Sequence, residues 1–230
     1  MFIKILGSAA GGGFPQINCN CRNCADVRQG RPGLAPRTQS SLAVSRDGVA
    51  WILLNASPDL RQQIAATPAL APPNDAGPRG SPIKAVVLTN GDVDHIAGLL
   101  SLREGLAFTL YASSRVLGAL AANSLFNVLD TGLVPRVQLE AGQTAELTQA
   151  GVSLGLTIEA FPVPGKVALY LENPAAGQSL GTHDGDTIGL RIVDPSSGAA
   201  LFYIPGCASM DATLAARLRG AQLVLFDGTL

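Results

Sequence analysis

Three cysteines, Cys19, Cys21 and Cys24, fall within six residues in the pattern Cys-x-Cys-x-x-Cys. Zinc takes four soft or borderline ligands in a tetrahedron, often thiolates, and so short a segment can turn three sulfurs onto one ion. Asn18, Asn20 and Asn23 are interleaved with the cysteines and favour turns. Three free thiols in a surface loop, or one disulfide, would make this spacing a coincidence. We therefore read the segment as a structural zinc site in a polar loop. Its fourth ligand is not evident, and Asp26, His183, Cys207 or a residue after Leu230 are the candidates. Cys207 alone, after a strand, reads more simply as a small buried hydrophobe.

A second group is Asp92-Val93-Asp94-His95. Two carboxylates and an imidazole within four residues can grip iron, manganese or zinc. The same residues can also start a helix, with Asp92 as its cap, Asp94 at its positive end and His95 packed inside. The residues alone leave both readings open. Other polar positions carry less. His183-Asp184-Gly185-Asp186 reads as an exposed turn, with a lid at a pocket as the alternative. Gly11-Gly12-Gly13 is no phosphate loop, because no Gly-Lys-Ser/Thr follows. Asp59 and Arg61 read as structural, although both could bind substrate carboxylates. Arg103-Glu104 reads as a local ion pair, and Asp227 as a turn former or a metal or supporting group at a strand end.

The elements that must position these residues follow from hydrophobic periodicity. Strands are expected at Phe2–Leu6, Ser40–Val44, Val49–Leu54, Lys84–Thr89, Phe108–Tyr111, Val137–Leu139, Leu154–Phe161, Val167–Leu171, Thr187–Val193, Ala200–Ile204 and Leu223–Phe226. Asp47-Gly48 marks a hairpin. Helices are expected at Pro58–Ala65, at Ile96–Glu104, after Ser113 or Ser114, and at Asp211–Leu218 with Gly220 as its stop. The Asp92–His95 group therefore lies in a loop between strand and helix, where α/β proteins carry much of their chemistry. This order predicts an α/β fold of two mixed sheets with helices outside. We read residues 1–230 as a single domain. The chain ends straight after a strand, where a functional loop is expected, so a further C-terminal segment is anticipated.

Composition narrows the function classes. Apolar residues make up 47% of the 230 and charged residues 14%, with a net charge of −1. That balance argues against disorder, and the lack of a basic run argues against nucleic-acid binding. Gly7 breaks the first apolar run too early for a secretory signal, and no stretch reaches the length of a membrane helix. A cytoplasmic protein is expected, in which four cysteines suggest metal or catalysis before disulfides.

The first strand with its glycine loop, the cysteine cluster and Asp92-x-Asp94-His95 together resemble the metallo-β-lactamase superfamily. Within it, Gly7–Gln16, Thr38–Ser41, Asn55–Asp59, Leu99–Gly105 and Phe226–Thr229 are similar to the branch that serves synthesis of pyrroloquinoline quinone (PQQ). The resemblance implies an αββα sandwich. It also marks departures from the superfamily's His-x-His-x-Asp-His metal loop. Asn90 and Asp92 stand where its first two histidines would be, while Asp94 and His95 match. Asn55 replaces an aspartate, Pro164–Lys166 offers no histidine, and the bridging aspartate falls near Gly206. A two-zinc hydrolytic site is thus dismantled. Hydrolysis through a bridging hydroxide needs both ions, so it is not expected.

What the resemblance implies instead is structural zinc at Cys19, Cys21 and Cys24 and a candidate catalytic iron at Asp92, Asp94 and His95. Further histidines would come from beyond residue 230, approaching the ligand set of non-haem iron oxygenases. The implied activity is O₂-dependent hydroxylation of the tyrosine ring in a Glu-Tyr-derived precursor. The implied partner is that small peptide-derived substrate or PQQ precursor, and a homodimer is compatible with it. A carrier or transport protein for PQQ or its precursor is the alternative, and a single-metal hydrolase the third.

Overall fold

Strand β3 (Trp51–Leu54) is buried along its whole length. Its side chains alternate, so that Trp51 and Leu53 enter one apolar cluster while Ile52 and Leu54 enter another. A strand with two apolar faces needs a covering layer on each side. The computed structural model, which describes residues 1–171 and 185–228, supplies both layers.

The first sheet runs β1 (Phe2–Gly7), β2 (Ser41–Ser45), β3, β4 (Ile83–Val87), β5 (Thr109–Ala112) and β6 (Arg136–Gln138), in that spatial order. Its first three strands pair antiparallel and the rest parallel. The second sheet contains β7 (Thr144–Gln149), β8 (Val152–Pro162), β9 (Ile188–Val193), β10 (Ala200–Ile204) and β11 (Val224–Phe226), with β11 and β7 at its edges. All of its pairings are antiparallel except β10–β11. Val44, Ile52 and Val87 from one sheet meet Leu156, Leu190 and Leu201 from the other. Each such Leu or Ile side chain contributes about 1.5–3 kcal/mol on burial.

The remaining faces are covered by helices α1 (Arg22–Arg28), α2 (Leu60–Ala65), α3 (Val93–Ile96), α4 (Ser114–Ala122) and α5 (Ala212–Leu218) in part. Leu60, Val116 and Leu120 pack on the outside of the first sheet, and Leu214 packs on Phe161 and Phe202 of the second. The expected αββα sandwich is what forms. No helix among the described residues is long and apolar enough to cross a membrane.

Several local expectations hold in detail. Asp47 Oδ1 accepts from the backbone N–H groups of Val49 and Ala50 in the β2–β3 turn, and Gly48 there has φ 79°. Ser113 Oγ accepts from Val116 N at the start of α4, and Asp211 Oδ1 accepts from Leu214 N at the start of α5. Others are corrected. The expected helix at Ile96–Glu104 is instead α3 followed by a 3-10 turn at Ala97–Leu102. The tightening comes from Gly98, whose N–H reaches Ala56 O at 2.8 Å and pulls the segment onto the exit of β3. The expected strand at Val167–Leu171 is a 3-10 turn at Leu169–Leu171, pinned where Tyr170 OH donates to Gly91 O. Strand β7 and helix α1 were not expected. The last position read for the Phe226–Thr229 motif, and the His183 site, lie outside the described residues.

Candidate active site and metal centre

The cysteine segment is not wholly a loop. Cys19 precedes α1, Cys21 occupies its N-cap position, and Cys24 is buried in its first turn. The three sulfurs lie within 4.8 Å of one another. A tetrahedral zinc with Zn–S of ~2.3 Å spaces its sulfurs by ~3.8 Å, so the cluster fits three corners of that ion. The thiols are unequal without it. Cys21 is held below the ordinary thiol range, chiefly by the Cys24 backbone N–H and then by its two sulfur neighbours. Cys24 is raised; a backbone contact with Gln16 pulls it down, but burial and the adjacent sulfurs prevail. A divalent ion would replace the competing protons. Arg28 steadies the segment by donating to the carbonyls of Gln16 and Cys19, the latter at 2.6 Å.

Neither of the two expected fourth ligands that lie among the described residues stands with the three sulfurs. Asp26 pairs with Arg31 and Arg22 at 3.2 and 3.7 Å. Cys207 lies elsewhere and donates to Ser209 O at 3.1 Å. No described His, Cys, Asp or Glu joins the three cysteines.

The second group opens into a cavity of about 1230 Å³ between the sheet edges, where Asp92, Asp94, His95, Lys166, Cys207 and Asp227 line the wall. Asp92 occupies the N-cap position of α3, but its side chain makes no cap hydrogen bond. Asp94 reaches the glycine loop: a Cβ on Gly11 would stand 3.3 Å from Asp94 Oδ2, so glycine leaves room for the carboxylate. His95 is buried, with its carbonyl accepting from Ala56 N at 2.7 Å. Burial pushes the His95 pKa down, and the carboxylates of Asp94 and Asp227 oppose that only partly. Asp227 follows β11, where its N–H donates to Ile204 O.

Beneath the cavity, Asn55 adopts φ 64° and pairs with Thr89 through both amide atoms. Its Nδ2 also donates to Tyr203 OH at 3.4 Å, and Ser40 Oγ lies 3.1 Å from that hydroxyl. Full burial pushes the Tyr203 phenol up to about 12, so it keeps its proton near neutrality. Asp59 is structural, because its Oδ2 accepts from Gln39 N and Nε2 and so anchors the strap beside the glycine loop. Arg103 and Glu104 form the expected exposed pair.

Of the positions at which the superfamily resemblance places ligands, Asn90, Asp92, Asp94, His95, Lys166 and Gly206 line one cavity, and Asn55 is not in its wall. The expected trio is less closed. His95 Nε2 and Asp94 Oδ2 stand 3.9 Å apart, a span that two ligands at ~2.1 Å from one ion can bridge. Among the described residues, however, only the cysteines form a group of three within ligand reach of one another. Asp92, Asp94 and His95 share the cavity without converging on one point. Sequence reasoning weighed Gly11 only as part of a phosphate loop and assigned no role to Tyr203 or Ser40. Their only sequence signals are the glycine loop and the Tyr-x-Pro-Gly strand exit.

A β-lactamase superfamily domain matches residues 50–230. With two mixed sheets, outer helices and a site at the strand ends, the chain is a metallo-β-lactamase-fold protein. A diphosphatase of the PhnP family shares that fold with a TM-score of 0.64 at 22% identity, over 96% of this chain and 71% of its own. Much nearer relatives are the coenzyme PQQ synthesis protein B sequences. That of Methylorubrum extorquens is 49% identical over 100% of this chain and 73% of its own length; that of Rhodopseudomonas palustris is 53% identical over 99% and 73%. The crystal structure of Zn²⁺-bound PqqB from Methylobacterium extorquens superposes with a TM-score of 0.92 at 49% identity, covering 100% of this chain and 73% of that one. The chain belongs to the coenzyme PQQ synthesis protein B family.

Proposed function

We propose that this chain serves PQQ synthesis as an iron-dependent oxygenase that hydroxylates the tyrosine ring of a Glu-Tyr-derived precursor. The observation that carries the reading is the replacement pattern in the cavity. Asn90 and Gly206 in its wall, with Asn55 beneath it, occupy positions at which the superfamily resemblance expects a two-metal hydrolase's ligands, while Asp94 Oδ2 and His95 Nε2 persist 3.9 Å apart. One carboxylate and one imidazole supply two of the three ligands with which non-haem oxygenases hold a single ferrous ion with open positions. Iron bound there would supply the activation of O₂ that the protein's own groups cannot. The overall conversion takes one ring C–H, O₂, two electrons and two protons to a ring C–OH and water. The electrons come from a reductant of the ascorbate or dihydroflavin class.

The chain's own residues orient and screen. Lys166, the only lysine or arginine among the described cavity walls, pairs with a substrate carboxylate. Tyr203, protonated at neutral pH, offers a hydrogen bond rather than a charge. The zinc cluster holds the glycine loop against Asp94 and takes no part in the reaction. Ferrous iron, O₂, reductant and a Glu-Tyr peptide should give a ring-hydroxylated product, lost in Asp94→Ala and His95→Ala. Equal turnover in those variants would remove the proposal. A carrier role is the second reading, favoured by the cavity's size and by the unclosed ligand trio. Tight quinone binding without metal or turnover would select it.

A further inference from the structure

Asn90 follows β4 and is 3% exposed. Its Oδ1 accepts from the backbone N–H of Asp92 at 3.0 Å and lies 2.6 Å from His95 Nδ1. The Asp92 N–H settles which end of the amide is oxygen, since the flipped amide would set two donors against each other. An amide oxygen can only accept, so the proton between it and the ring belongs to Nδ1. In the neutral ring, His95 Nε2 is then the atom with a free lone pair. His95 lines the cavity, and this nitrogen lies 3.9 Å from Asp94 Oδ2, too far for a hydrogen bond. The rest of Asn90 is confined as well. Its backbone bridges to Thr187, and a Cβ on residue 206 would stand 3.2 Å from Asn90 Nδ2. Glycine at 206 thus leaves the space in which this amide sits.

We infer that Asn90 is a positioning residue that holds His95 in the Nδ1–H tautomer and presents Nε2 to the cavity. The tautomer stands on geometry alone; its use by a metal or a reacting group rests on the function proposed above. Ligating histidines generally donate their second ring nitrogen to an oxygen acceptor, and loss of that acceptor costs metal affinity roughly 10–100-fold. A side chain in the position of a superfamily ligand would thereby have become the support of a ligand.

The chain has two histidines, so His183→Gln leaves a single imidazole to observe. Long-range ¹H–¹⁵N spectra of the ¹⁵N-labelled, zinc-loaded, iron-free protein in that background should show a protonated Nδ1 and an unprotonated Nε2. Asn90→Leu removes the acceptor at similar size, and it should shift the ring towards Nε2–H. Anaerobic titration with ferrous iron should show affinity falling by about 10-fold or more in the same variant. Asn90→Asp, which retains an accepting oxygen, should restore the tautomer. A protonated Nε2 in the parent overturns the inference without need of a variant, and an unchanged ring in Asn90→Leu overturns the role of Asn90. The function reading fails separately: absent hydroxylation with the tautomer intact sinks it and leaves this inference standing.

Discussion

Gly98 fastens the loop carrying Asp94 and His95 to the end of β3, and Gly98→Ala tests how much that fastening is worth. A Cβ there would lie 2.1 Å from Ser57 O and 2.8 Å from the carbonyl carbon of Ala56. Comfortable C···O contact begins near ~3.3 Å, so backbone must move by roughly 1 Å. That movement strains two buried hydrogen bonds, Gly98 N to Ala56 O at 2.8 Å and Ala56 N to His95 O at 2.7 Å. Each is worth about 1 kcal/mol when exchanged for water, and one of the two left unmet costs up to ~3, giving a loss of about 2–4 kcal/mol. At this chain length the Tm should fall by roughly 5–15 °C. Gly118→Ala is the control. Gly118 lies within α4 with nothing within 4 Å of the added methyl, so stability should rise by about 0.5–1 kcal/mol. Paired thermal or urea unfolding reads both changes. A Gly98→Ala protein as stable as its parent, with His95 resonances unmoved, would refute the coupling of loop to sheet.

Two further outcomes follow from the site. Cys21→Ala should lower bound zinc from about one per chain to little by element analysis and reduce stability, with any activity loss following from that; unchanged zinc would dismiss the cluster as a metal site. The depressed His95 pKa sets the sign of an acid effect. Below the unfolded imidazole value of ~6.5 the unfolded chain takes up a proton that the folded chain refuses, so stability falls as pH drops, by at most about 1.4 kcal/mol per pH unit. His95→Gln should flatten that limb of the stability–pH curve, and an identical curve would contradict the burial argument.

The sheets were legible because burial on both faces leaves near-continuous apolar runs, as in β3 and β4. Strand β7 was hidden by its turn: Ala150 adopts φ 49° before Gly151, and alanine gives no sign of a left-handed position. Helix α1 buries only Cys24 and has no side-chain cap, so neither periodicity nor capping announces it. At the site, the strand-to-loop position of Asp92–His95 could be read from the chain. The proximity of Asp227, Lys166 and Tyr203 could not be read from residue spacing, because strands far apart in sequence bring them together; the superfamily resemblance alone pointed to the positions near 164–166 and 206. The hydrogen bond from His95 to Asn90 was hidden for another reason. It depends on the ring orientation that burial imposes, and residue spacing does not encode that.

Whether Asp94 and His95 support ring hydroxylation is read by mass-spectrometric analysis of a Glu-Tyr peptide. The zinc-loaded protein is incubated with ferrous iron, ascorbate and ¹⁸O₂. The tyrosine ring should gain one ¹⁸O atom in an iron-dependent step, abolished by Asp94→Ala or His95→Ala while zinc at the cysteines is retained. Ring oxygen derived from water, or labelling that persists in both variants, would contradict it.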